Sequence, residues 1–368
     1  MKKKNLCKTL LKTICIVLGI LILALLAYIV YLYASYYRIE DNQELVVEAP
    51  VDDTTTGAAA VLATDTEYSA VTYNIGFGAY LPDYSFFMDG GTSSWAESPE
   101  TVQYAINGAG ELVKSLDPDF ALIQEIDLDA TRSYHTDEYE MLRNLLPEYT
   151  TVFAQNYDSA FLFYPFTQPH GSSRAGLGLF SKYPVSSALR RSFPISTSFS
   201  KFFDLDRCYS VSRIPVDNGK ELVIFNLHMS AYGNSDEIRK GQIEMLCNDM
   251  AKEYEAGNYV LCGGDFNHDL KASEEDAENC ESWAFPFPRT ELPEHFAFCL
   301  DLLSSEEKES LWNSARNADM EYVPGVTYTV TLDGFIISDN IECLSYENVN
   351  TGYSYSDHDP VKMEFVLK

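Results

Sequence analysis

The sequence predicts an α/β fold with mixed sheets, preceded by one membrane-spanning helix. Three observations carry this prediction. Short apolar runs rich in β-branched and aromatic residues recur from Tyr68 onward, a pattern that is typical of strands. Helical periodicity occurs between several of these runs. Near the N-terminus, an uncharged apolar stretch is long enough to cross a bilayer.

The membrane-spanning helix is predicted for residues 14–37, after a basic tail of residues 1–13. No charged side chain lies between Lys12 and Arg38, and residues 14–33 would span ~30 Å as a helix. A cleaved signal peptide is the alternative, although its apolar region usually covers only ~7–15 residues. Because lysines precede the helix and acids follow it, the positive-inside rule predicts a single-pass protein with a cytoplasmic N-terminus and an extracytoplasmic domain.

Residues 38–66 are interpreted as a stalk or lead-in, and residues 67–368 as one domain. The segment 44–48 (ELVVE) is alternatively an edge strand. Strands are predicted at the apolar runs 70–73, 120–124, 177–180, 222–227, 259–261, 335–337 and 361–366. Helices are predicted for residues 101–116 and 237–254. Residues 266–325 are acidic and rich in loop-forming residues, so they are interpreted as a long excursion rather than a second domain.

The charge balance excludes one broad class of partner. From Arg38 onward, 21 basic residues face 55 acidic ones, which gives a net charge of −34. Such a field repels polyphosphate chains, because non-specific nucleic-acid binding depends on lysine and arginine that displace counterions. Stable nucleic-acid binding is therefore not expected, and the domain is expected to be a monomer.

Six cysteines lie in the predicted domain, none of them in a close CxxC pair, so the sequence gives little support for a structural zinc site. Cys247 and Cys262 lie on apparent helix and strand faces and are interpreted as buried thiols. Cys280 and Cys299 are the pair expected to form a disulfide, if one exists. Nothing in the sequence fixes the connectivity.

Acids, amides and imidazoles recur where the strand-like runs end. These residues are Asn74, Glu125, His228, Asp265 with Asn267, Asp333, and Asp357 with His358. A carboxylate held at a strand end can face a cleft and lose enough solvation to prefer a divalent cation to a proton. The pattern therefore predicts a polar site that leaves the strands themselves buried.

The segments that carry these residues resemble the endonuclease/exonuclease/phosphatase superfamily, the DNase I-like group. The matching motifs are TYN, QE, NLH, GDFN, LDGFIIS and SDHDPV, in the family's order over residues 68–368. The resemblance implies a four-layer α/β sandwich, in which two mixed β-sheets are flanked by helices. It also implies a metal-dependent phosphoester hydrolase.

The resemblance assigns an expected role to each motif residue. Glu125, Asn74 and Asp357 would bind Mg²⁺ or Mn²⁺, which both prefer hard oxygen ligands. Asp265 would orient and deprotonate the attacking water, and the Asn267 amide would donate to the phosphoryl oxygens. Attack would be in line and would need no covalent intermediate.

The same resemblance places two imidazoles and one cation on the substrate side. His228 and His358 would contact the phosphate and neutralise its growing charge, with Asp333 holding the ring of His358. Arg174 is the expected cation for a phosphate oxygen, and a solvated surface residue is the alternative reading of it.

One position departs from the family pattern, and one loop is open to two interpretations. Gly76 occupies a place where some abasic-site nucleases of the family carry an acid, so the sequence leaves open whether the site binds one metal ion or two.

Segment 74–91 is unusually aromatic. It is either a local cluster that packs over the sheet edge, or an apolar wall for a lipid or an aromatic leaving group.

The expected function is a phosphodiesterase or phosphatase tethered to the outer face of a membrane, with phospholipid as one candidate substrate. An extracytoplasmic nuclease of the same fold is an alternative, which would require a clustered basic groove. A non-catalytic binding module is the other alternative. It predicts broken catalytic positions, whereas Glu125, Asp265, Asn267 and His358 are all present.

Overall fold

A computed structural model describes residues 2–52, 61–231, 236–273 and 283–368. The chain forms two compact units, Met1–Arg38 and Ile39–Lys368. The first unit contains helix α1 (Lys2–Ser35). Among the described residues, α1 is the one helix that is long and apolar enough to cross a membrane, with its apolar part at Leu6–Ser35. This helix is compatible with membrane anchoring.

The described part of the second unit contains four further α-helices, several short 3-10 helices and the strands. The helices are α2 (Pro99–Leu116), α3 (Glu138–Leu145), α4 (Asp236–Glu255) and α5 (Ser305–Ser310). The strands of the first half are β1 (Gln43–Glu44), β2 (Val47–Glu48), β3 (Glu67–Asn74), β4 (Phe120–Ala130), β5 (Thr150–Asp158), β6 (Ser173–Ser181), β7 (Ser187–Ser192) and β8 (Cys208–Pro215). Those of the second half are β9 (Glu221–His228), β10 (Tyr259–Asp265), β11 (Phe296–Phe298), β12 (Ala315–Arg316), β13 (Thr329–Val330), β14 (Asp333–Ser338), β15 (Ile341–Asn348) and β16 (Val361–Leu367).

The described strands form two seven-stranded sheets and one small ribbon, β12-β13. The first sheet has the order β1-β7-β8-β9-β10-β14-β11, and the second has the order β15-β16-β3-β4-β6-β5-β2. Pair β9-β10 is parallel in the first sheet, and pair β3-β4 is parallel in the second. Because their other strand pairs are antiparallel, both sheets are mixed.

The two sheets pack face to face around one large apolar core. A Cβ atom at Gly263 of β10 would lie 3.1 Å from Leu122 Cδ2 of β4, so the glycine permits a close approach of the sheets. Inside this interface, Gln124 Nε2 donates to Asn226 Oδ1 at 2.8 Å. Helices α2 and α3 cover the outer face of the second sheet, and α4 packs against the first. The predicted four-layer α/β sandwich is confirmed.

The seven strands and two helices predicted from apolar runs and helical periodicity are all present, and each extends beyond its predicted bounds. The prediction missed α3 and the strands β5, β7, β8 and β15. It also missed the short elements α5, β11 and β12, which lie in the excursion of residues 266–325, and β13, which follows it. The strands β5, β7, β8 and β15 mix polar residues into their apolar pattern; β15, for example, lies at a sheet edge with half its length exposed. An edge strand needs fewer apolar residues, because only one of its faces packs against the core.

Residues 44–48 are interpreted from the sequence either as part of the stalk or as one edge strand. They do lie at sheet edges, but they belong to two short strands in different sheets. β1 pairs with β7 in the first sheet, and β2 pairs with β5 in the second. The described part of the segment interpreted as a stalk therefore joins the edges of both sheets. Residues 53–60 lie outside the described residues.

Two cysteine predictions have different outcomes. Cys247 and Cys262 are buried free thiols, as predicted. Cys299 is also a buried free thiol, while its predicted partner Cys280 lies outside the described residues.

Candidate active site

The polar residues at the strand ends meet at one end of the sandwich, which we call the catalytic end. Asn74 is the last residue of β3, and His228 and Asp265 are the last residues of the parallel neighbours β9 and β10. Asp333 opens β14 opposite Asp265, because β14 runs antiparallel to β10. The order of strands in the two sheets thus gathers residues that are far apart in sequence.

Two residues of this end have backbone conformations that side chains rarely adopt. Glu125 has a φ of 55° and interrupts the pairing of β4 with β6 at a bulge between Ile123 and Ile126. Asn267, just beyond β10, has a φ of 50°. Left-handed non-glycine residues cost free energy and cluster at functional sites, so both conformations mark this end of the molecule.

Asn74 joins two of the acids. Its Nδ2 atom donates to Glu125 Oε1 and to Asp265 Oδ2, both at 3.1 Å. Its Oδ1 atom accepts a hydrogen bond from the Gly76 amide at 3.0 Å. In this arrangement the amide nitrogen holds the two carboxylates together, and the amide oxygen is already engaged by the backbone.

The two predicted histidines differ in protonation state. His358 Nδ1 lies 2.7 Å from Asp333 Oδ2, and the same oxygen accepts from Ser314 Oγ at 2.7 Å. Burial alone would lower the pKa of His358, but the Asp333 carboxylate outweighs it and raises that pKa well above its usual value. His358 is therefore an imidazolium at neutral pH, with its Nε2 atom 3.9 Å from Asp265 Oδ2.

Unlike His358, His228 has no carboxylate bound to its Nδ1 atom among the described residues. Its Nε2 atom lies 3.5 Å from Asp265 Oδ2 and 3.8 Å from Glu125 Oε1, while Nδ1 has no hydrogen-bond partner in the described part of the chain. Burial, and then the positive charges of Arg207 and His358, lower its pKa well below the usual value. The lowered pKa makes His228 a neutral imidazole at neutral pH.

Burial and neighbouring acids raise the pKa of three carboxyl groups at the catalytic end. Burial, together with the nearby Asp333, raises the pKa of Asp265 to about 7, although His358 opposes the shift. Burial and Glu125 raise the pKa of Asp357 to about 6. Burial and the charges of Asp357 and Glu125 raise the pKa of Asp89 to about 7. Such mutual repulsion is what a bound dication relieves.

Asp89 is an acid that sequence reasoning missed. At Gly76, where some family members carry an acidic ligand, the structure explains why this chain has none. A Cβ atom at Gly76 would lie 2.7 Å from Tyr80 Cδ2 and 3.1 Å from Asp357 Oδ1. With its φ of +54° as well, position 76 has no room for an acidic side chain. The FMDGG sequence that follows the aromatic stretch was the available signal for Asp89.

These residues fit a hard dication. The charge of Glu125 raises the pKa of both Asp357 and Asp89, which places these three carboxylates close to one another. A second close group consists of Asp265, Asp333 and His358, whose ligand atoms lie within 4.8 Å of one another. Because His358 is protonated and paired with Asp333, the first group is the better oxygen-donor set.

Asn267 and Arg174 have contacts that bear on their expected roles. The backbone N–H of Asn267 donates to Asp265 Oδ1 at 2.8 Å, and the side-chain Nδ2 of Asn267 donates to Met229 O at 2.9 Å.

Arg174 forms an exposed ion pair with Asp129 at 3.0 Å. No described hydrogen bond or ion pair joins Arg174 to the strand-end residues, in line with its alternative reading as a surface residue.

Arg207 is the second residue that sequence reasoning missed. Its exposed fraction is only 6%, and its Nε and Nη1 atoms have no hydrogen-bond partner among the described residues. One ion-pair contact is present, at 3.8 Å to Asp204. Buried guanidinium nitrogens without partners are costly, and an anion bound next to Arg207 would offset that cost. The Arg207 charge also acts on His228. An arginine directly before a strand, in a chain short of basic residues, was its signal.

The aromatic segment 74–91 packs mainly as a local cluster. Phe77, Tyr80, Tyr84 and Phe86 are buried and contact one another edge to face or at a tilt. They pack against α2 and the outer face of the second sheet. This is the cluster alternative of the two interpretations, and the neighbouring Met88 remains exposed.

Residues 71–302 match the model of the Endonuclease/Exonuclease/phosphatase family. This chain belongs to that family. Members of the family are phosphoester hydrolases, and the protein is accordingly a phosphoester hydrolase. Family members typically depend on a divalent metal. No curated protein matches the chain significantly.

Solved structures with the family fold resemble this chain at low identity. An endonuclease/exonuclease/phosphatase from Beutenbergia cavernae DSM 12333 is 16% identical, with a TM-score of 0.54 over 82% of this chain and 72% of that chain. ANGEL2, a 2′,3′-cyclic phosphatase, is 12% identical, with a TM-score of 0.56 over 82% of this chain and 96% of that chain. TDP2 from D. rerio, complexed with a single-strand DNA product, is 13% identical, with a TM-score of 0.52 over 82% and 99%. These similarities show the fold.

Proposed function

We propose that the protein is a divalent-metal-dependent phosphodiesterase or phosphatase, tethered to the outer face of a membrane. One observation carries the proposal: Asn74 holds Glu125 and Asp265 together at 3.1 Å each, directly beside a neutral and a protonated imidazole. Oxygen donors, a base and a cationic donor are then available around one phosphoester.

Glu125 and Asp357 would hold Mg²⁺ or Mn²⁺, with Asp89 as a further oxygen donor. When bound, the ion would supply Lewis-acid polarisation of the phosphoryl group and offset its charge. Asn74 would act mainly as a positioning residue for the metal-binding and base carboxylates, because its own amide oxygen accepts from the Gly76 amide. The site needs no ligand at position 76.

Asp265 would accept the proton of the attacking water. Both carboxylate oxygens of Asp265 accept hydrogen bonds. Oδ1 accepts from the backbone N–H of Asn267 at 2.8 Å, and Oδ2 accepts from Asn74 Nδ2 at 3.1 Å. A buried carboxylate with a pKa near neutrality is well matched to general-base catalysis at neutral pH. His358, kept protonated by Asp333, would contact the phosphoryl oxygens during in-line attack.

Three groups would hold the substrate phosphate beside this base. The Asn267 side chain would donate its second amide hydrogen, and the neutral His228 would act as a hydrogen-bond partner rather than a charge. Two nitrogens of Arg207 have no hydrogen-bond partner among the residues that the structure describes, and the Arg207 charge acts on His228, so Arg207 is better suited than Arg174 to contact a phosphate oxygen.

The membrane part of the proposal is supported by α1 and by the charge distribution. The candidate membrane span covers Leu6–Ser35, the lysines of this helix all lie at or before Lys12, and the body of the chain is strongly acidic. By the positive-inside rule, the N-terminus would be cytoplasmic and Ile39–Lys368 extracytoplasmic. Protease added to intact cells should digest the catalytic unit and leave an N-terminal epitope protected; the reverse pattern contradicts this topology.

The activity is tested with the full chain purified in detergent micelles. We expect Mg²⁺ or Mn²⁺ to support hydrolysis of a bis-aryl phosphodiester, sphingomyelin or a phosphatidylinositol phosphate, and a chelator to abolish it. Hydrolysis that survives complete metal removal contradicts the proposed chemistry. Supercoiled DNA as the best substrate at physiological salt would overturn the argument from charge.

A further inference from the structure

Exposed apolar side chains surround the catalytic end. We call six of them the apolar rim: Met88, Phe163, Tyr164, Phe166, Phe199 and Phe203. The most exposed of these are Phe166, at 85%, and Tyr164, at 62%. Single exposed apolar residues are ordinary, whereas several large ones around one site mark an interaction surface.

The three loops that carry the rim all start or end at strands of the catalytic end. Met88 follows β3, which ends at Asn74. Phe163, Tyr164 and Phe166 lie between β5 and β6, and the Asp158 end of β5 pairs with Arg174. Phe199 and Phe203 lie between β7 and β8, close in sequence to Arg207.

Contacts connect the rim loops to one another. The ring centroids of Phe87, beside Met88, and Tyr164 are 5.8 Å apart. Cys208, which opens β8, has its Sγ atom 3.8 Å from Gln155 O near the end of β5. The loops that carry the rim therefore lie around the same end of the sandwich.

Chain connectivity points to the occupant of this surface. Helix α1 ends at Ser35, and the Ile39 amide already donates to Asp206 Oδ2 at 3.0 Å. The four residues from Ser35 to Ile39 can span at most about 14 Å. Asp206 is three residues from Phe203, so a bilayer crossed by α1 would lie close to one loop of the rim.

The chemistry of the rim fits a bilayer better than an anionic macromolecule. Phenylalanine, tyrosine and methionine are suited to the boundary between headgroups and acyl chains. The strong negative charge of this unit disfavours polyanionic partners. Arg207 lies in the same loop as Phe199 and Phe203, so the rim adjoins a group suited to bind a phosphate.

We infer that the apolar rim docks onto the same bilayer that α1 spans, and that the substrate is a phosphoester in the headgroup of a membrane lipid. The substrate class rests on the proposed function, whereas the docking is a separate physical event. In this arrangement, the rim inserts at the interface and the catalytic end faces the headgroups.

Docking is tested without any assay of activity. The full chain is reconstituted in phosphatidylcholine vesicles, with a tryptophan reporter at the rim (Phe166→Trp) or at the far end of the second sheet (Leu344→Trp). Leu344 is also exposed, at 46%, and so provides a matched control. Brominated phosphatidylcholine should quench the added fluorescence of Phe166→Trp at least ~2-fold more than that of Leu344→Trp. Equal quenching of the two reporters would overturn the docking.

The substrate class is tested with the double variant Phe163→Ser/Phe166→Ser. We expect ~10-fold slower hydrolysis of phospholipid headgroups in vesicles and an unchanged rate on a soluble bis-aryl phosphodiester. Leu344→Ser should change neither rate. Equal losses on both substrates, or no loss on either, would overturn the inference. Failure of the proposed function is distinct, since the wild type would then hydrolyse neither substrate while the quenching difference persisted.

Discussion

The two sheets contribute different chemistry to the catalytic end. The first sheet supplies His228, Asp265 and Asp333, which hold or accept protons. The second supplies Asn74 and Glu125, which offer an amide and a carboxylate next to Asp357. Neither sheet contains a complete site. The hydrogen bonds from Asn74 to Glu125 and Asp265 connect the two halves, so catalysis depends on the face-to-face packing of the sheets.

This comparison predicts that substitutions in the two sheets fail in different ways. A change in the first sheet should slow the chemical step while metal affinity is kept. A change in the second sheet should weaken metal binding, and added metal should restore part of the rate.

The largest effect is expected for Asp265→Asn in the first sheet. The amide keeps the shape of the side chain but cannot accept the water proton, so kcat should fall by ~10³-fold. Hydrolysis of a bis-aryl phosphodiester at saturating Mg²⁺ measures this fall, and calorimetric titration should show a metal affinity within a few-fold of wild type. Asp83 is an exposed acid in segment 74–91 and provides a control, because Asp83→Asn should hydrolyse the same substrate at the wild-type rate. Equal rates for Asp265→Asn and wild type would exclude Asp265 as the base.

Glu125→Gln in the second sheet should act on the metal. Loss of one anionic oxygen donor should raise the Mg²⁺ concentration for half-maximal activity by ~10². Titration of the rate with Mg²⁺ measures this shift, and Glu100→Gln on the exposed start of α2 should leave it unchanged. A fall in kcat that no Mg²⁺ concentration corrects would contradict the division between the sheets.

Arg207→Gln should weaken the hold on the substrate. Loss of a charged hydrogen bond to phosphate is expected to raise KM by ~10-fold, with a smaller effect on kcat. Arg174→Gln should leave KM within about twofold, because Arg174 pairs with Asp129 at the surface. A larger KM effect for Arg174 than for Arg207 would restore the sequence-based choice of cation.

Asp333→Asn should have a small effect at low pH and a larger one at high pH. The Asp333 carboxylate raises the pKa of His358, so its removal lowers that pKa, and the imidazolium is lost earlier as pH rises. The alkaline limb of the kcat/KM profile should therefore move at least ~1 pH unit toward acid. Ser314→Ala, which leaves the carboxylate in place, should shift it less. An unmoved alkaline limb would exclude a catalytic role for the His358 charge.

Much of the fold and of the site could be predicted from the sequence. Apolar runs identify strands because a strand buried on both faces has to be apolar, and residues such as Asp265 stand out where such a run ends. The edge strand β15 lacks that signal, and so does β8, in which serines and an arginine interrupt the apolar sequence. Asp89 and Arg207 were missed because they lie in loops, where proximity depends on how distant segments pack.

The sequence by itself determined the strand ends, the order of the motifs, the acidic charge and the apolar N-terminal helix, because each of these is a local property of the chain. The tertiary structure alone decided which imidazole is charged, why Gly76 excludes a side chain, and which aromatic residues are buried and which form the apolar rim. These properties depend on burial and on neighbouring charges, which arise only when residues distant in sequence are brought together.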